Sequence, residues 1–474
     1  MNYETVIGLE VHAELKTKTK IYCGCSTEFG GEVNTHTCPI CVGFPGVLPV
    51  LNKQVVEYAI KAGLATNCNI TPVGKQDRKN YFYPDLPKAY QTSQYDLPIC
   101  VGGYVEIETE DGPKKIRLTR IHIEEDAGKL LHDFGEGTLV DYNRGGVPLI
   151  EIVSEPDLRS SQEAHTFLEQ LKAILEYTDV SDCKMQEGSL RCDVNVSVRP
   201  EGATEFGIRT EMKNVNSFRA AVRAIEYESK RQIAVLENGD EVTQETRRWD
   251  EASGKSVPMR SKEDAQDYRY FPEPDLVNIV IDDEWVARVR ETLPELPQAR
   301  IKRYIADLGL TDYDAGLIAS NKKLAVLFEE TVALGAKPKA VSNWILGDVS
   351  RILNERDIEL DESKLTPQAL ASLIELIEKG TISNNAGKKV LPDIFDGCDD
   401  VTKLVEEKGL VQISDDSALM EIVTQVLADN EKSVNDYKGG NERAIGFLVG
   451  QCMKASKGKG NPQKFNELLK QNLG

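Results

Sequence analysis

The chain has 474 residues, of which 40% are hydrophobic and 28% charged, and its formal net charge is −20. This composition excludes a disordered chain, and the length exceeds one ordinary hydrophobic core, so we expect two to four domains. The acidic balance argues against nucleic-acid binding over the whole surface and leaves room only for a local basic patch.

No apolar run approaches the roughly 18 residues of a membrane span, and the N-terminal stretch "MNYETVIGLE" lacks the basic and apolar regions of a signal peptide. We therefore expect a cytoplasmic protein. Its ten cysteines should then be thiols or metal ligands rather than disulfides.

The first predicted element is a strand, because "VIGLEVHAEL" (6–15) alternates apolar and polar residues. Alternation places Glu10, His12 and Glu14 on one face of a sheet. "LRCDVNVSVR" (190–199) and "GIRTEMKNV" (207–215) alternate in the same way. Clean alternation is typical of antiparallel sheets with one open face, so we predict an α+β fold with a mainly antiparallel sheet.

Two helices interrupt these strands. Residues 161–177 have helical apolar spacing behind a Ser160-x-x-Glu163 capping box, and residues 218–236 follow Ser217 as the N-cap. After "TLPELPQAR" (292–300) the pattern changes to short helices, with Pro367 suited to a helix start. We predict a sheet-rich domain at 1–292, a helical domain at 293–405 and a helical tail at 406–474.

Four cysteines form two close pairs in "YCGCSTEFGGEVNTHTCPIC" (22–41), and they predict a structural zinc site. The predicted ligands are Cys23, Cys25, Cys38 and Cys41, with His36 able to replace one sulfur. The alternatives are four free cysteines or a site that has lost its metal. A site with four sulfur ligands has no open position, so it would stabilise a loop rather than catalyse.

Several strand-like segments carry acids among apolar neighbours, which is a pattern that suits Mg²⁺. Basic residues occur in the same segments, and acids that hold a metal beside bases that hold phosphate are typical of phosphoryl transfer. Each acid alone would more often be a solvated surface group. The acids are Glu10, Glu14, Glu124, Glu125, Asp126, Glu151, Asp193, Glu211 and Asp275, and the bases are Arg191, Arg209 and Lys213.

The loop "RKNYFYPDLPKAYQTSQ" (78–94) is dense in aromatics and prolines and predicts either a site or a rigid corner. The sequence has no usual nucleotide fingerprint, since the "GKS" at 254–256 has Trp249 where a phosphate loop needs glycine. It also lacks a Gly/Ser-rich amidase run and a G-x-S-x-G elbow.

The tail is basic, although the net charge of the chain is −20. Residues 440–474 contain six basic residues and two acidic ones, which gives +4. Lys454, Lys457 and Lys459 lie on a glycine-rich turn, where they could bind RNA phosphates. A solvated helical tail is the alternative interpretation.

Taken together, these segments resemble the GatB/GatE family, the B subunits of tRNA-dependent amidotransferases. The resemblance runs through the whole chain and is carried by "IGLEVHAEL", "RKNYFYPDLPKAYQTSQ", "VDYNRGGVPLIEIVSEPD", "GSLRCDVNVSVR", "TEMKNVNSF" and "DYRYFPEPDL". The tail "GFLVGQCMKASKGKGNP" resembles the YqeY-type module of that family. Gly145 and Ala89 depart from the expected pattern, but neither occupies a charged position.

The resemblance implies a heterotrimeric ligase. Its partners would be an amidase subunit (GatA), which supplies glutamine-derived ammonia, and a small subunit (GatC). ATP would activate the side-chain carboxylate of Glu-tRNA(Gln), Asp-tRNA(Asn) or both as an acyl phosphate, which ammonia then converts to the amide. Residues 1–292 would be the cradle domain with the kinase and transamidase site, and residues 406–474 the YqeY-like tRNA-binding tail.

The same resemblance implies roles for individual residues. It assigns Glu10, His12 and Glu125 to Mg²⁺. It gives the catalytic or ammonia-path positions to Glu151, Asp193 and Glu211, and the candidate phosphate partners are Lys213, Arg191 and Arg209.

Two other functions share part of the pattern. A stand-alone ATP-dependent ligase of a small acid would use the same acid-rich sheet but leaves the basic tail unexplained. A non-catalytic tRNA-binding scaffold would use the tail and leave the acids as a solvated face.

Overall fold

The computed structural model describes residues 2–132, 137–259, 268–412, 416–441, 443–456 and 459–473. The chain divides into two compact units, Met1–Pro297 and Gln298–Gly474. The finer division at 405/406 stays a prediction.

The first unit is built on strands. In chain order they are β1 (Tyr3–Glu14), β2 (Asn69–Ile70), β3 (Val73–Gly74), β4 (Asp77–Asn80), β5 (Tyr90–Ser93), β6 (Cys100–Val101), β7 (Tyr104–Thr109), β8 (Gly112–Glu125), β9 (Lys129–Leu131), β10 (Leu139–Asp141), β11 (Pro148–Ser154), β12 (Leu190–Pro200), β13 (Thr210–Val215), β14 (Glu245–Asp250), β15 (Lys255–Pro258), β16 (Phe271–Pro272) and β17 (Ile279–Val280).

One large sheet dominates this unit. Its strand order is β15-β14-β13-β12-β1-β11-β8-β6-β2, with β7 also paired to β8. Only β13 and β14 run parallel among the described pairs of this sheet. A smaller sheet has the order β16-β4-β5, and β9 with β10 and β3 with β17 form two-stranded ribbons. The predicted α+β fold with a mainly antiparallel sheet is confirmed.

Helices cover one face of the large sheet. They are α1 (Lys53–Ala65), α2 (Ser161–Tyr177) and α3 (Phe218–Glu237), and α4 (Asp283–Glu291) packs on α1. The apolar residues of β1 at Ile7, Leu9, Val11 and Ala13 are at most 1% exposed and share one core with these helices. The alternate residues of each strand therefore point to the other face of the sheet, where polar side chains can lie.

The helix starts follow the predicted capping. The Ser160 hydroxyl accepts a hydrogen bond from the backbone N–H of Glu163, and the Ser217 hydroxyl accepts one from Ala220. The Glu163 carboxylate accepts from the backbone N–H of Arg159 at 2.7 Å, one residue before the position of an ideal capping box. Both predicted helices are confirmed.

The second unit is helical. Its α-helices are α5 (Pro297–Leu308), α6 (Asp312–Ala319), α7 (Lys322–Ala333), α8 (Pro338–Trp344), α9 (Ser350–Arg356), α10 (Pro367–Glu378), α11 (Asn384–Phe395), α12 (Val401–Glu407), α13 (Asp416–Asp429), α14 (Glu431–Lys438), α15 (Ala444–Ala455) and α16 (Pro462–Leu473).

A π-helical segment, Ile345–Val349, joins α8 to α9, and a 3₁₀ turn lies at Leu360–Glu362. Pro367 begins α10, as predicted. The last four helices have a core of their own, which includes Leu419, Leu448 and Phe465. Among the described helices, none combines the length and apolarity needed to cross a bilayer.

Replacement of Phe167 by alanine should destabilise the first unit by about 3–5 kcal/mol, because its ring on α2 is 1% exposed in the core. Urea unfolding followed by circular dichroism measures the loss. Gln162→Ala, on the exposed side of the same helix, is the control and should change stability by less than about 0.5 kcal/mol. Equal stability of the two variants would contradict the packing described above.

Candidate active site

The open face of the large sheet gathers acids from neighbouring strands. In the antiparallel register, His12 lies opposite both Glu151 of β11 and Arg191 of β12, and Glu10 lies opposite Asp193. Directly opposed residues point to the same face. The alternation seen in the sequence therefore brings most of the predicted polar residues to one surface.

A compact carboxylate–imidazole group lies at the centre of this face. His12 Nε2 is 3.2 Å from Glu151 Oε2 and 3.4 Å from Glu124 Oε1. The ligand atoms of these three residues lie within 4.8 Å of one another, so the group could hold a metal ion. We refer to His12, Glu124 and Glu151 as the carboxylate–histidine group.

A second histidine supports this group. His122 is buried, and its Nε2 lies 3.6 Å from Glu124 Oε2 and 3.5 Å from Glu151 Oε2. Its Nδ1 accepts a hydrogen bond from Arg120 Nε at 3.3 Å, so the ring proton belongs on Nε2, facing the acids. The predicted site residues omitted His122, although its even spacing from Glu124 in "RIHIEED" places both on one face.

The group attracts positive charge. Burial alone would lower the pKa of His12, but the hydrogen bond to Glu151 and the charge of Glu124 raise it to about 9. Burial opposes ionisation of Glu151, yet contacts with His12 and His122 lower its pKa. Glu124 Oε2 is buried and has no hydrogen-bond partner among the described residues. A divalent cation would satisfy this oxygen, and the donor set of two carboxylates and one imidazole suits Mg²⁺.

Glu125 does not join this group, although the sequence grouped it with Glu10 and His12. Lys88 Nζ donates to its two carboxylate oxygens at 2.5 and 2.8 Å, and the backbone N–H of Thr92 donates at 2.9 Å. Consecutive strand residues point to opposite faces, so only one of two adjacent glutamates can reach His12. The structure brings Glu124 there, which corrects the expected grouping.

A row of charges continues along the face toward β13. Lys213 Nζ lies 2.8 Å from Asp193 Oδ2 and 2.9 Å from Glu211 Oε1. Glu10 accepts a hydrogen bond from Asn195 Nδ2 at 2.9 Å. Burial and the nearby charge of Glu151 raise the pKa of Glu10. Lys213 therefore neutralises two acids at one end of the row.

Arg191, which lies opposite His12 in the register of β1 and β12, forms an ion pair with Asp126. Its Nη2 is 2.6 Å from Asp126 Oδ2, and Arg144 Nε is 3.5 Å from the same oxygen. Burial and the adjacent Asp126 raise the pKa of Glu14 to about 8. Glu14 had no role in the sequence assignment, and the structure places it beside Asp126, whose own pKa is lowered by Arg191 and Arg144 against the effect of burial.

Arg209 stands apart from these ion pairs. It is exposed in the segment before β13. Burial raises the pKa of Glu211, but Lys213, Thr246 and, with the smallest effect, Arg209 lower it.

The four cysteines of the N-terminal loop also come together. The sulfur atoms of Cys23, Cys25, Cys38 and Cys41 lie within 4.8 Å of one another and could hold a metal. His36 is not part of this group. Its ring lies against Gly31, where an added Cβ would come within 2.6 Å of it.

Lys20 shows that this cluster carries negative charge. The side chain is 0% exposed, and its Nζ donates to the Tyr142 carbonyl at 3.1 Å and to Cys41 Sγ at 3.7 Å. No carboxylate in the described ranges forms an ion pair with it. A buried ammonium group needs a compensating charge, which the Cys41 thiolate supplies. The Cys23 thiol, the backbone N–H of Cys38 and the Lys20 charge lower the pKa of Cys41 to about 5, against the effect of burial.

A cavity of about 200 Å³ lies between the cysteine loop and the smaller sheet. Its charged lining is mostly paired, since Arg78 donates to both oxygens of Glu273 at 2.7 Å and Lys88 binds Glu125. Asp275 also lines it, with Oδ2 3.6 Å from Arg78 Nη2.

The basic tail residues lie around the last two helices. Lys454 is exposed in α15, and Lys459 is exposed in the turn before α16. Lys457 lies outside the described residues.

These features define a class of protein with a sheet-built catalytic domain and a separate helical unit. The sequence model of the GatB/GatE catalytic domain matches residues 5–287, and that of the GatB domain matches residues 326–473. The chain belongs to the GatB/GatE family.

Curated relatives agree along the full length, and they are the B subunits of aspartyl/glutamyl-tRNA(Asn/Gln) amidotransferases from several bacteria. The chain is 62% identical to the relative from Caldicellulosiruptor saccharolyticus, over 100% of this chain and 99% of the relative. The relatives from Thermoanaerobacter sp. strain X514 and Moorella thermoacetica are 61% and 58% identical, each with 100% of both chains covered.

The cysteine cluster predicts bound metal in the purified protein. Wild type should contain about one ion per chain at this site. The double variant Cys38→Ser/Cys41→Ser should contain almost none, because hydroxyls are poor replacements for thiolates. Plasma mass spectrometry measures the content, and Cys398→Ser, between α11 and α12, is the control. Freshly purified wild type without metal would contradict the prediction.

Proposed function

We propose that this chain is the carboxylate-activating subunit of a glutamine-dependent amidotransferase. It would convert Glu-tRNA(Gln), Asp-tRNA(Asn) or both to the amidated tRNA, in a complex with an amidase subunit and a small third subunit. The support is family membership together with one observation, the carboxylate–histidine group on an open sheet face flanked by Lys213 and Arg191.

The reaction needs activation because a carboxylate has a very poor leaving group. The γ-phosphoryl group of ATP is transferred to a carboxylate oxygen of the aminoacyl side chain, releasing ADP. Ammonia then attacks the acyl carbon, and inorganic phosphate leaves as the amide forms and the nitrogen loses a proton. This sequence requires charge stabilisation and positioning rather than a protein nucleophile.

The carboxylate–histidine group is the proposed Mg²⁺ site, with His12, Glu124 and Glu151 as protein ligands. When bound, Mg²⁺ offsets the combined negative charge of ATP and the substrate carboxylate. The Nε2 proton of His122 faces both carboxylates, 3.6 Å from Glu124 Oε2 and 3.5 Å from Glu151 Oε2, and favours their ionised forms. Lys213 and Arg191 prevent repulsion among the remaining acids and present positive charge on the face where phosphates would lie.

Asp193 and Glu211 keep their assignment to a further metal position or to the path of ammonia. Glu10, which the resemblance assigned to Mg²⁺ with His12, lies outside the carboxylate–histidine group, and we place it in the same row. Its clustered carboxylates suit either role. Arg209 remains a candidate phosphate partner, because it is exposed and close enough to affect Glu211.

We assign zinc to the cysteine cluster, because four thiolates form its preferred closed tetrahedral site. Its role would be to hold the loop that borders the cavity. Free thiolate ligands fit a reducing compartment, which supports a cytoplasmic location.

Adjacent glutamates offer a test of the proposed active site. Glu124→Gln should raise the Mg²⁺ concentration for half-maximal amidation by at least about tenfold, the effect typical of losing even an outer partner of a metal site. The assay uses the reconstituted complex with Glu-tRNA, ATP and free ammonia. Glu125→Gln, the matched variant one residue away, should leave the Mg²⁺ dependence unchanged.

If Glu125→Gln raised the Mg²⁺ requirement and Glu124→Gln did not, Mg²⁺ would be assigned to Glu125 again. The carboxylate–histidine group would then be excluded as the Mg²⁺ site. ATP consumption that does not depend on charged tRNA would instead favour the stand-alone ligase. Absence of ATP consumption would favour the non-catalytic scaffold.

The tail is the proposed tRNA contact, with Lys454, Lys457 and Lys459 as its phosphate partners. The double variant Lys454→Glu/Lys459→Glu should weaken tRNA binding about tenfold at low salt and reduce its salt dependence, because two phosphate contacts are lost. Filter binding over a salt series measures both quantities. Lys389→Glu, an exposed lysine on α11, is the control.

Deletion of residues 408–474 extends this test. A tRNA enzyme should lose much of its tRNA affinity, whereas a ligase of a small acid should retain its substrate affinity. Unchanged tRNA binding by both the charge-reversal and the deletion variants would exclude the tail as the contact.

A further inference from the structure

Five tyrosines form a continuous series of ring contacts in the first unit, which we call the tyrosine ladder. The centroids of Tyr83 and Tyr81 are 5.8 Å apart, and those of Tyr81 and Tyr268 are 6.4 Å apart. Tyr268 is 5.9 Å from Tyr270, which stacks on Tyr95 at 4.4 Å. The ladder joins the aromatic loop at 78–94 to the "DYRYF" segment, two sequence features that are far apart in the chain.

The two ends of the ladder are open to solvent. Tyr83 is 47% exposed and Tyr95 is 64% exposed, and the adjacent Phe82 is 83% exposed. A cluster that served only as a rigid corner would bury these rings, since each loses its stabilising contact area when left in water. The open rings therefore point to a partner that has flat apolar faces.

The middle of the ladder lies beside the carboxylate–histidine group. Lys79 Nζ lies 4.9 Å from the centroid of Tyr268. Gln91, which lies opposite Lys79 in the register of β4 and β5, donates a hydrogen bond to the backbone carbonyl of Glu125 at 2.8 Å, which ties this strand pair to the end of β8 that carries Glu124. Burial lowers the pKa of Lys79 and raises that of Tyr270, and the charges of Glu124 and Glu151 raise both. A molecule that follows the rings thus reaches the site proposed to activate the substrate carboxylate.

Two lysines, Lys75 and Lys79, lie beside the ladder. Asp77 and Asp96, near Tyr95, are both bound by Lys75 Nζ, at 2.8 and 2.7 Å. Lys79 has no ion-pair partner within the described part of the chain, so its positive charge is not neutralised by a direct contact. Aromatic rings interleaved with a cation are typical of surfaces that bind single-stranded nucleic acid.

We propose that the tyrosine ladder stacks the bases of the single-stranded 3′ end of tRNA and directs its aminoacyl ester to the carboxylate–histidine group. This inference rests on the proposed function and adds the surface that recognises the RNA end. Every base has a flat π face, so a series of rings can hold the successive bases of a single-stranded end without base-specific hydrogen bonds. A single adenine of ATP would need only one or two rings, whereas five consecutive rings match several nucleotides.

The test distinguishes the effect of an aromatic ring from the effect of a large apolar side chain. Tyr83→Leu and Tyr95→Leu remove the aromatic ring, and Tyr83→Phe and Tyr95→Phe keep it. Tyr313→Leu, an exposed tyrosine on α6, controls for loss of a surface ring. Each full-length variant is assembled with the partner subunits, and its thermal unfolding is compared with wild type.

The readout is the Kd for uncharged tRNA with and without its single-stranded 3′ nucleotides. Wild type should bind the intact tRNA more tightly than the truncated one. Each leucine variant should bind intact tRNA about tenfold more weakly and lose most of this difference. The phenylalanine variants and Tyr313→Leu should remain within about twofold of wild type, as expected if stacking carries the effect.

Three results would overturn the inference. Wild type could fail to distinguish the two tRNAs, or the leucine variants could distinguish them as wild type does. A rise in KM for ATP with an unchanged KM for Glu-tRNA would instead assign the rings to the nucleotide base. Failure of the proposed function has a different signature, since wild type would then make no amidated tRNA, whereas the binding comparison requires no turnover.

Discussion

The candidate site depends on the sealing of one sheet face by helices. Ile7, Leu9 and Val11 are buried against that layer, so the alternate residues of β1 must face the other way. The same constraint applies to β8, β11, β12 and β13, which pair side by side with it or with each other. Carboxylates that are distant in sequence are thereby forced onto one open surface.

So many acids on one surface repel one another, and the structure compensates in two ways. Lys213 and Arg191 form ion pairs at the two sides of the face. Burial and the adjacent Asp126 raise the pKa of Glu14 to about 8, which lowers its negative charge at neutral pH. At the centre, Glu124 and Glu151 are balanced by histidine rather than by an arginine or lysine ion pair, since His12 Nε2 lies 3.4 and 3.2 Å from them. The ligand atoms of these three residues lie close enough together to hold a metal ion.

In the smaller sheet, side chains of β4 also alternate between two faces. Arg78 faces the cavity near the cysteine loop, where it pairs with Glu273, while Lys79 faces Tyr268 and the carboxylate–histidine group. Adjacent residues on one short strand thus serve two different environments. Glu124 and Glu125 on β8 show the same division, and these pairs keep the cavity at the cysteine loop chemically distinct from the acid face.

The sequence alone determined those features that depend on local periodicity and spacing. Alternation placed Glu10 and His12 on one face, the Ser160 and Ser217 caps marked two helix starts, and paired cysteines indicated one cluster. The family was also recognisable from its long motifs. These features could be predicted because each follows from residues that are close in the chain, or from motifs that are uncommon.

Only the tertiary structure decided which distant side chains meet. Strand parity shows that Glu124 and Glu125 point apart, but the register between β1, β11 and β8 determines which of them reaches His12. The position of His122 beside Glu124 and Glu151, the raised pKa of Glu14 beside Asp126 and the contact of Tyr81 with Tyr268 have the same origin. Each depends on the packing of segments separated by tens to hundreds of residues, and local sequence patterns carry no information about such pairings.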